Sequence, residues 1–281
     1  MSHLLVATDL SVRSERAQRR ALLLARQHGL AIHLVHVIDA DQPSGLIESQ
    51  QAHINQILQR LARTIETSDG VQCRADVRVA ESVEAGLHSA TDADTDLVLL
   101  GSHRKRPLRD LFLGGTSERI IAHAERPILI VQGPPIEAYH RVLLALDLAA
   151  GSAAATDELL RQRLMAETTL TVLHVAGAAE GSAVAANQVT DTGHETLLAQ
   201  EASMARDALD RLVTASGRPM AGQRVVADPR PVATTVMETA EREGSDLIAL
   251  APRQRTVSET FLRYSVTTRL LNASTVDLLV L

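Results

Sequence analysis

Residues 101–121, GSHRKRPLRDLFLGGTSERII, combine the residue types that bind an anion. Two glycines and two hydroxyl residues follow one another at the predicted start of a helix: Gly114, Gly115, Thr116 and Ser117. Free backbone N–H groups and the helix dipole both favour negative charge at such a position. The segment therefore predicts a phosphate site. The alternative is a glycine turn with Thr/Ser capping, which Glu118 would complete.

A basic loop precedes these glycines. It follows Gly101, Ser102 and His103, and its cationic residues are Arg104, Lys105, Arg106 and Arg109. Their side chains either hold an anion or are merely solvated, and the spacing alone leaves both interpretations open.

Asp9 follows the first predicted strand, which ends near Ala7. A carboxylate there would accept hydrogen bonds from an exocyclic amine or a ribose hydroxyl, and the backbone at Ile38 would read an adenine edge. Ligands of parallel α/β sheets gather at the carboxyl ends of the strands, which is where Asp9, Ile38 and Gly101 are predicted to lie. Asp9 is equally suited to be the N-cap of the following helix.

The elements that position these residues alternate between short aliphatic runs and helical stretches. In the first half, five predicted strands alternate with four predicted helices, the first of which extends from about Ser14 to His28 and ends at Gly29. Such alternation predicts a parallel sheet with helices on both faces, which is a doubly wound α/β domain.

The same pattern occurs twice in the chain. LLVATDLS at 4–11 returns as VLLALDLA at 142–149, and TDLVLLGSHR at 95–104 returns as SDLIALAPRQ at 245–254. A repeat this long is a whole domain rather than a solenoid module. We therefore predict tandem domains over residues 1–133 and 134–281.

Composition excludes several classes of partner. The chain has 281 residues, 45% of them apolar, and only two Tyr, two Phe and no Trp, so the cores are expected to be aliphatic. A net charge of −6 and the scarcity of stacking aromatics argue against nucleic acid. With no long apolar run and no leader pattern, we expect no membrane association and a cytoplasmic location.

Other chemistry is not indicated by the sequence. Cys73 is the single cysteine, which excludes an internal disulfide, and the histidines are scattered, so no metal site is predicted. The recognised phosphate-loop, dinucleotide, nucleophile-elbow and zinc-protease motifs are absent. An enzymatic role is therefore not expected.

Both halves resemble the universal stress protein family. Nucleotide-binding members of that family carry Gly, two residues, Gly, nine residues, Gly and then Ser or Thr. Gly101 and Gly114 fit, but Arg104 replaces the second glycine and Gly115 the hydroxyl residue. The resemblance implies ATP as a ligand of the first half. It also implies pairing of the last strands, about a pseudo-twofold axis, as an intramolecular pseudo-dimer that is able to form a further homodimer.

The second half departs further from the family pattern. The residues at the positions of Gly101, Arg104, Gly114 and Gly115 are Ala251, Gln254, Tyr264 and Ser265. We therefore expect this half to be degenerate and to lack nucleotide binding. Asp147 and His174, which match Asp9 and His36, are expected to serve caps and packing.

Three functions follow in order of preference. The first is a stress-response or regulatory protein that binds an adenine nucleotide or another small anionic ligand in the first half. The second is a scaffold or interaction module that binds an unidentified protein and no nucleotide. The third is a slow nucleotide hydrolase, which ranks last because no positioned base accompanies Asp9.

Overall fold

The computed structural model describes residues 1–102, 116–148, 160–176, 200, 202–211, 214, 220–228, 230–250 and 266–281. Internal contacts divide the chain into two units, Met1–Ala138 and Tyr139–Leu281. Within the described ranges, no helix is both long and apolar enough to cross a membrane.

Unit 1 contains five strands: β1 (His3–Ala7), β2 (Ala31–Asp39), β3 (Cys73–Ala80), β4 (Thr95–Gly101) and β5 (Ile128–Val131). Its described helices are α1 (Val12–His28), α2 (Ser44–Thr64), α3 (Val83–Ala90) and α4 (Thr116–His123). A π-helical turn, Ile65–Asp69, follows α2. The predicted alternation of strand and helix is confirmed.

The sheet of unit 1 has the strand order β3-β2-β1-β4-β5, and each neighbouring pair is parallel. The chain moves outward from β1 to β3, returns to β4 on the other side of β1, and continues to β5. Right-handed crossovers then place α1 and α2 on one face and α3 and α4 on the other. The strand order reverses between β1 and β4, and the carboxyl ends of the strands at such a reversal are where ligands of this sheet type bind.

The core of unit 1 is aliphatic, as the composition predicts. Leu5, Val6, Leu34 and Leu99 from the central strands are fully buried, and β5 is buried along its whole length. Continuous rather than alternating apolar runs are typical of parallel strands that helices cover on both faces.

The limits of α1 follow from its capping residues. Ser11 is the N-cap and accepts a hydrogen bond from the backbone N–H of Ser14, whereas Asp9 lies outside the helix. The alternative that Asp9 caps the helix is therefore wrong. Gly29 ends α1 at a positive φ of 66°, a conformation that glycine adopts without steric cost, so the predicted helix end is confirmed.

Unit 2 repeats this arrangement. Its strands are β6 (Arg141–Ala145), β7 (Thr169–Ala176), β8 (Met220–Ala227), β9 (Leu247–Leu250) and β10 (Asp277–Val280). They form parallel neighbours in the order β10-β9-β6-β7-β8, which reproduces the order of unit 1. The described helices include α5 (Val232–Glu243) and α6 (Val266–Ala273), and residues 202–211 are also helical. The tandem repeat is thus present in the fold.

Candidate functional site

The residues predicted to bind a ligand in unit 1 fall into two groups. The structure describes Ala7, Asp9, Ile38, Gly101, Thr116 and Ser117. His103, Arg104, Gly114 and Gly115 lie outside the described residues. Ala7 ends β1, Ile38 lies at the end of β2 and Gly101 ends β4, so these three share the carboxyl edge at the strand reversal.

Asp9 occupies the turn between β1 and α1. Its Oδ1 accepts a hydrogen bond from the backbone N–H of Ser11 at 3.0 Å, and its Oδ2 lies 3.7 Å from the guanidinium of Arg13. Burial raises the pKa of Asp9, but hydrogen bonds from Ser11 and Ser14 outweigh that effect and leave the pKa below its usual value. The side chain is 60% exposed. It is therefore an ionised acceptor, able to receive hydrogen bonds from a ligand.

The buried hydroxyl of Thr8 holds this turn in place through several hydrogen bonds. Thr8 Oγ1 accepts hydrogen bonds from the backbone N–H of Leu10 at 3.1 Å and from Gln18 Nε2 at 3.0 Å. The same oxygen donates to Ser14 Oγ at 3.1 Å, and Ser14 Oγ donates to the carbonyl of Ser11. Nothing in the sequence pattern identified Thr8, Ser14 or Gln18 as parts of this turn. The only sequence signal was a cluster of hydroxyl residues around the predicted strand end.

Leu10 has an unusual backbone conformation. Its φ is 60°, the only positive value among the non-glycine residues that the structure describes, and the residue is 40% exposed. A side chain in this region costs about 1–2 kcal/mol because Cβ crowds the following carbonyl. The strained residue lies directly beside Asp9.

His36 joins β2 to the same turn. Its Nδ1 lies 2.8 Å from the carbonyl oxygen of Thr8. A carbonyl only accepts hydrogen bonds, so Nδ1 carries the proton. In unit 2 the matching His174 makes the same bond to the carbonyl of Leu146 at 2.9 Å. The expectation that His174 has a structural role is thus supported, and His36 shares that role.

Close packing against α1 requires a glycine at position 101, apart from the role predicted for this residue in the ligand site. A Cβ built on this residue would lie 2.4 Å from the carbonyl oxygen of Arg13 and 2.9 Å from the nitrogen of Ser14. Both atoms belong to backbone, so the clash could not be relieved by rotating a side chain. Any residue other than glycine at position 101 would push the first turn of α1, and with it the Asp9 turn, away from β4.

The start of α4 provides the described part of the predicted phosphate site. Thr116 and Ser117 are its first residues, both partly buried, and Glu118 lies in its first turn. Arg119 Nε pairs with Glu84 at 2.9 Å, which ties the first turn of α4 to the first turn of α3. The helix start is thus anchored on the face of the sheet that α3 covers.

Metal ligation is not supported by the described residues. Within them, no group of three or more His, Cys, Asp or Glu side chains could hold a metal ion. Cys73 is buried, and burial raises the pKa of its thiol to about 12, so the thiol is not activated as a nucleophile.

Comparison with known proteins places the chain in a family. A family model described as the universal stress protein family matches residues 1–132 and again residues 138–281. A universal stress protein of Synechocystis sp. is 36% identical over 86 residues, which cover 31% of this chain and 55% of that protein. One of Mycolicibacterium smegmatis is 28% identical over 187 residues, which cover 61% of this chain and 63% of that protein. The matches thus span between half and two-thirds of the length of these curated relatives.

Solved structures support the fold independently. A universal stress protein from Archaeoglobus fulgidus gives a TM-score of 0.72 at 17% identity, with 99% of this chain and 95% of that chain covered. A protein from Pseudomonas aeruginosa gives a TM-score of 0.68 at 15% identity, with 100% and 92% covered. Identities this low show the fold alone. Because the family model matches nearly the whole chain in two consecutive copies, the protein belongs to the universal stress protein family and consists of two of its domains in tandem.

Proposed function

We propose that unit 1 binds a small anionic ligand, with adenine nucleotides as the first candidates, and that the protein is a stress-response binding protein rather than an enzyme. Membership of the universal stress protein family supports the stress-response role. The observation that carries the ligand proposal is Asp9, an ionised and largely exposed carboxylate held at the strand reversal by Ser11.

Three segments of unit 1 would each bind a different part of the ligand. Asp9 would accept hydrogen bonds from a ribose hydroxyl or an exocyclic amine, since a carboxylate repels phosphate. The backbone at Ile38 would read the base. The phosphates would lie over residues 114–117, where the start of α4 supplies N–H groups.

A depressed pKa argues against hydrolysis at Asp9. A general base works best when its pKa lies near the working pH. Hydrogen bonding to Ser11 moves the pKa of Asp9 in the opposite direction. The proposal is therefore binding without turnover.

One site per chain is expected, because the second half carries Tyr264 and Ser265 where the first has Gly114 and Gly115. Mass spectrometry of small molecules released from natively purified protein should reveal an adenine nucleotide. Calorimetric titration with ATP should then give a stoichiometry near one. Two equivalent sites would contradict the assignment, and so would loss of binding in Tyr264→Ala but not in Gly114→Val.

The repeat offers a matched pair of variants. Asp9→Asn should weaken ATP binding by about tenfold to a hundredfold, the usual loss for a hydrogen bond to a charged group. Asp147→Asn, the same change at the matching position of unit 2, should leave affinity unchanged. Equal effects of the two substitutions, or no effect of Asp9→Asn, would remove Asp9 from the site.

Arg104 supports the second candidate function, a scaffold without nucleotide. Its side chain stands where the family pattern has a glycine that lets backbone approach phosphate. We expect the Arg104 side chain to fill the space that phosphate would occupy rather than to bind phosphate. Arg104→Gly should therefore bind ATP more tightly than the parent. Weaker binding by this variant at the same salt would instead identify a phosphate clamp. If parent and variant both fail to bind, the scaffold function is preferred.

A further inference from the structure

A group of polar side chains, two buried histidines and three more exposed charged residues, lies at the amino ends of the strands, opposite the candidate ligand site. We call it the histidine cluster, and its members are His3 of β1, His33 of β2, Arg74 and Asp76 of β3, and Asp92 of the turn before β4. Its members are scattered along the sequence, and the parallel sheet brings them together.

The two imidazoles of the histidine cluster are almost fully buried and touch each other. His3 is 5% exposed and His33 is 1% exposed. Their ring centroids are 5.5 Å apart, with the ring planes at 67°. Two histidines this close and this buried cannot both become charged at low cost.

The partners of His33 fix its protonation state. Arg74 Nη2 lies 3.1 Å from Nδ1, and Asp76 Oδ2 lies 2.7 Å from Nε2. A guanidinium only donates hydrogen bonds, so Nδ1 accepts, and Nε2 carries the single proton and donates to Asp76. His33 is therefore neutral in this arrangement. If His33 became charged, its second proton would lie on Nδ1 and face the N–H of Arg74. The contact between these two groups would then have to break.

His3 faces the same guanidinium. Its Nε2 lies 3.4 Å from Arg74 Nη2, 3.1 Å from Thr95 Oγ1 and 3.8 Å from Asp92 Oδ1. Arg74 Nη2 also donates to Asp92 Oδ2 at 3.2 Å. Arg74 thus connects both histidines to the turn between α3 and β4.

Burial, reinforced by the positive charge of Arg74, favours the neutral forms of both histidines. Burial lowers the pKa of His33, the hydrogen bond to Asp76 raises it, and Arg74 lowers it again, with a net decrease. Burial likewise lowers the pKa of His3, which Asp92 raises and Arg74 lowers, again with a net decrease.

The other charged groups nearby are already engaged. Asp94 pairs with the amino group of Met1 at 3.1 Å, and Arg78 lies 3.5 Å from Asp76. Arg126 donates to the carbonyls of Asp92 and Ala93. Of the two helices on this face, α4 ends at the exposed His123, whose Nδ1 bonds the carbonyl of Arg119, and α3 buries only Gly86, Leu87 and Ala90. Its Glu84 pairs with Arg119, and its His88 is exposed.

We propose that the histidine cluster is an acid-sensitive latch: protonation of His33 or His3 breaks its contact with Arg74 and frees the turn between α3 and β4 from the sheet. The latch holds four neighbouring strands of unit 1 at their amino ends. Its release loosens that edge and leaves the carboxyl edge, where the ligand is proposed to bind, in place. The inference does not depend on the proposed ligand.

The direction of the pH effect follows from the lowered pKa values. Both histidines fold in the neutral form, so the unfolded chain binds more protons in acid. The stabilising contribution is complete above the ordinary histidine pKa of 6.5 and is lost as pH falls below it toward the folded-state values. Each histidine changes the opening equilibrium by at most about tenfold per pH unit.

Cys73 provides a reporter beside the latch. It is the only cysteine in the chain, is 8% exposed, and precedes Arg74 at the start of β3. The full-length protein would be treated with dithiodipyridine at about pH 7.5 and about pH 5.5, on either side of the histidine pKa. Rates would be divided by those of the chain unfolded in denaturant at the same pH. We expect the normalised rate to rise about tenfold or more in acid.

Glutamine at position 33 tests the mechanism. His33→Gln keeps an N–H to donate to Asp76 but cannot titrate, so the acid response should be reduced, and His3→Gln combined with it should abolish the response. His88→Gln, which replaces an exposed histidine of α3, should respond like the parent. An undiminished acid response in the doubly substituted protein would overturn the proposal.

An NMR titration of the parent protein tests the latch without any variant. His33 should carry its proton on Nε2 at neutral pH and titrate below the ordinary value. A His33 that titrates at or above that value, or that carries its proton on Nδ1, would overturn the proposal even if the glutamine variants fail to fold.

Discussion

At the scale of single residues, Leu10 shows how a local conformation and a site residue are linked. Its positive φ lets the chain leave β1 and turn so that Ser11 both caps α1 and donates to Asp9. Glycine would adopt this conformation without strain. The retained leucine thus costs stability at the position next to the proposed ligand-binding carboxylate.

Replacing Leu10 should distinguish the effect of backbone strain on stability from the effect of losing side-chain contacts. We expect Leu10→Gly to stabilise unit 1 by about 1 kcal/mol, because the steric penalty of the left-handed region is removed. Leu10→Ala keeps the penalty and should give no gain. Urea unfolding followed by exposure of the Cys73 thiol would report unit 1 alone, since no other cysteine exists. Stabilisation by alanine equal to that by glycine would show that strain is not the cause.

Asp228 supplies a second prediction at this scale. After β8, its carboxylate accepts hydrogen bonds from Arg230 at 2.8 Å and from Thr235 at 2.7 Å. These bonds hold its pKa well below the usual carboxyl range. Its contribution to stability is therefore complete above the unfolded value of about 3.9 and is lost as pH falls below it.

Acid unfolding of unit 2 should reveal this contribution. Both tyrosines of the chain, Tyr139 and Tyr264, belong to unit 2, so tyrosine fluorescence follows that unit. Asp228→Asn should lower the stability of unit 2 at neutral pH and flatten its decline below about pH 4. Asp207→Asn, at an exposed helical position of the same unit, should keep the parent slope. An unchanged slope in Asp228→Asn would contradict the assignment.

The sequence predicted the position of Asp9 but not the contacts that hold it. Its location follows from the end of an aliphatic run, which is a local pattern. Ser11 rather than Asp9 is the N-cap. The Asp9 side chain accepts a hydrogen bond from the backbone N–H of Ser11, and the helix begins after that turn. The pairing of His3 with His33 was not predictable, because it depends on which strands are neighbours rather than on spacing along the chain.

At the scale of elements, the alternation of short aliphatic runs with helical stretches predicted strands and helices in the right order. Helix starts were less predictable: α2 begins at Ser44 and has no side-chain cap. Its first three turns bury no residue completely, so the hydrophobic pattern gave little signal there.

The contact between α3 and β2 gives a prediction at this scale. A Cβ on Gly86 would lie 2.5 Å from Val37 Cγ1, so the helix approaches the strand more closely than a side chain allows. Gly86→Ala should destabilise unit 1 by about 1–3 kcal/mol through overpacking. Gly45→Ala, at a helical position with open space, should be neutral or slightly stabilising.

A double substitution tests the cause of that loss. Val37→Ala removes the atoms that the new Cβ would meet, so the loss in Gly86→Ala with Val37→Ala should be smaller than the sum of the single losses. A coupling of about 1 kcal/mol is expected for residues in contact. Strict additivity, measured by urea unfolding with the Cys73 thiol as reporter, would assign the loss to the helix backbone instead.

At the scale of the whole molecule, the two units keep the same strand order and the same histidine bond between the second strand and the turn after the first. His36 bonds the carbonyl of Thr8, and His174 bonds the carbonyl of Leu146. The repeat in the sequence predicted this correspondence. The two units share their strand order, whereas Tyr264 and Ser265 stand where the proposed phosphate loop of unit 1 has Gly114 and Gly115.

Pairing between the last strands of the units stays a prediction from the repeat. PILIV at 127–131 and DLLVL at 277–281 occupy matching positions, and an aliphatic last strand left as an open edge would favour aggregation. We expect β5 and β10 to lie antiparallel about a pseudo-twofold axis. Every second amide of β5 points away from β4 and would then be bonded to β10. Hydrogen exchange of the intact chain should therefore show all four amides of β5 as protected as those of β1, whereas fast exchange at alternate positions would mean that the strand is an open edge.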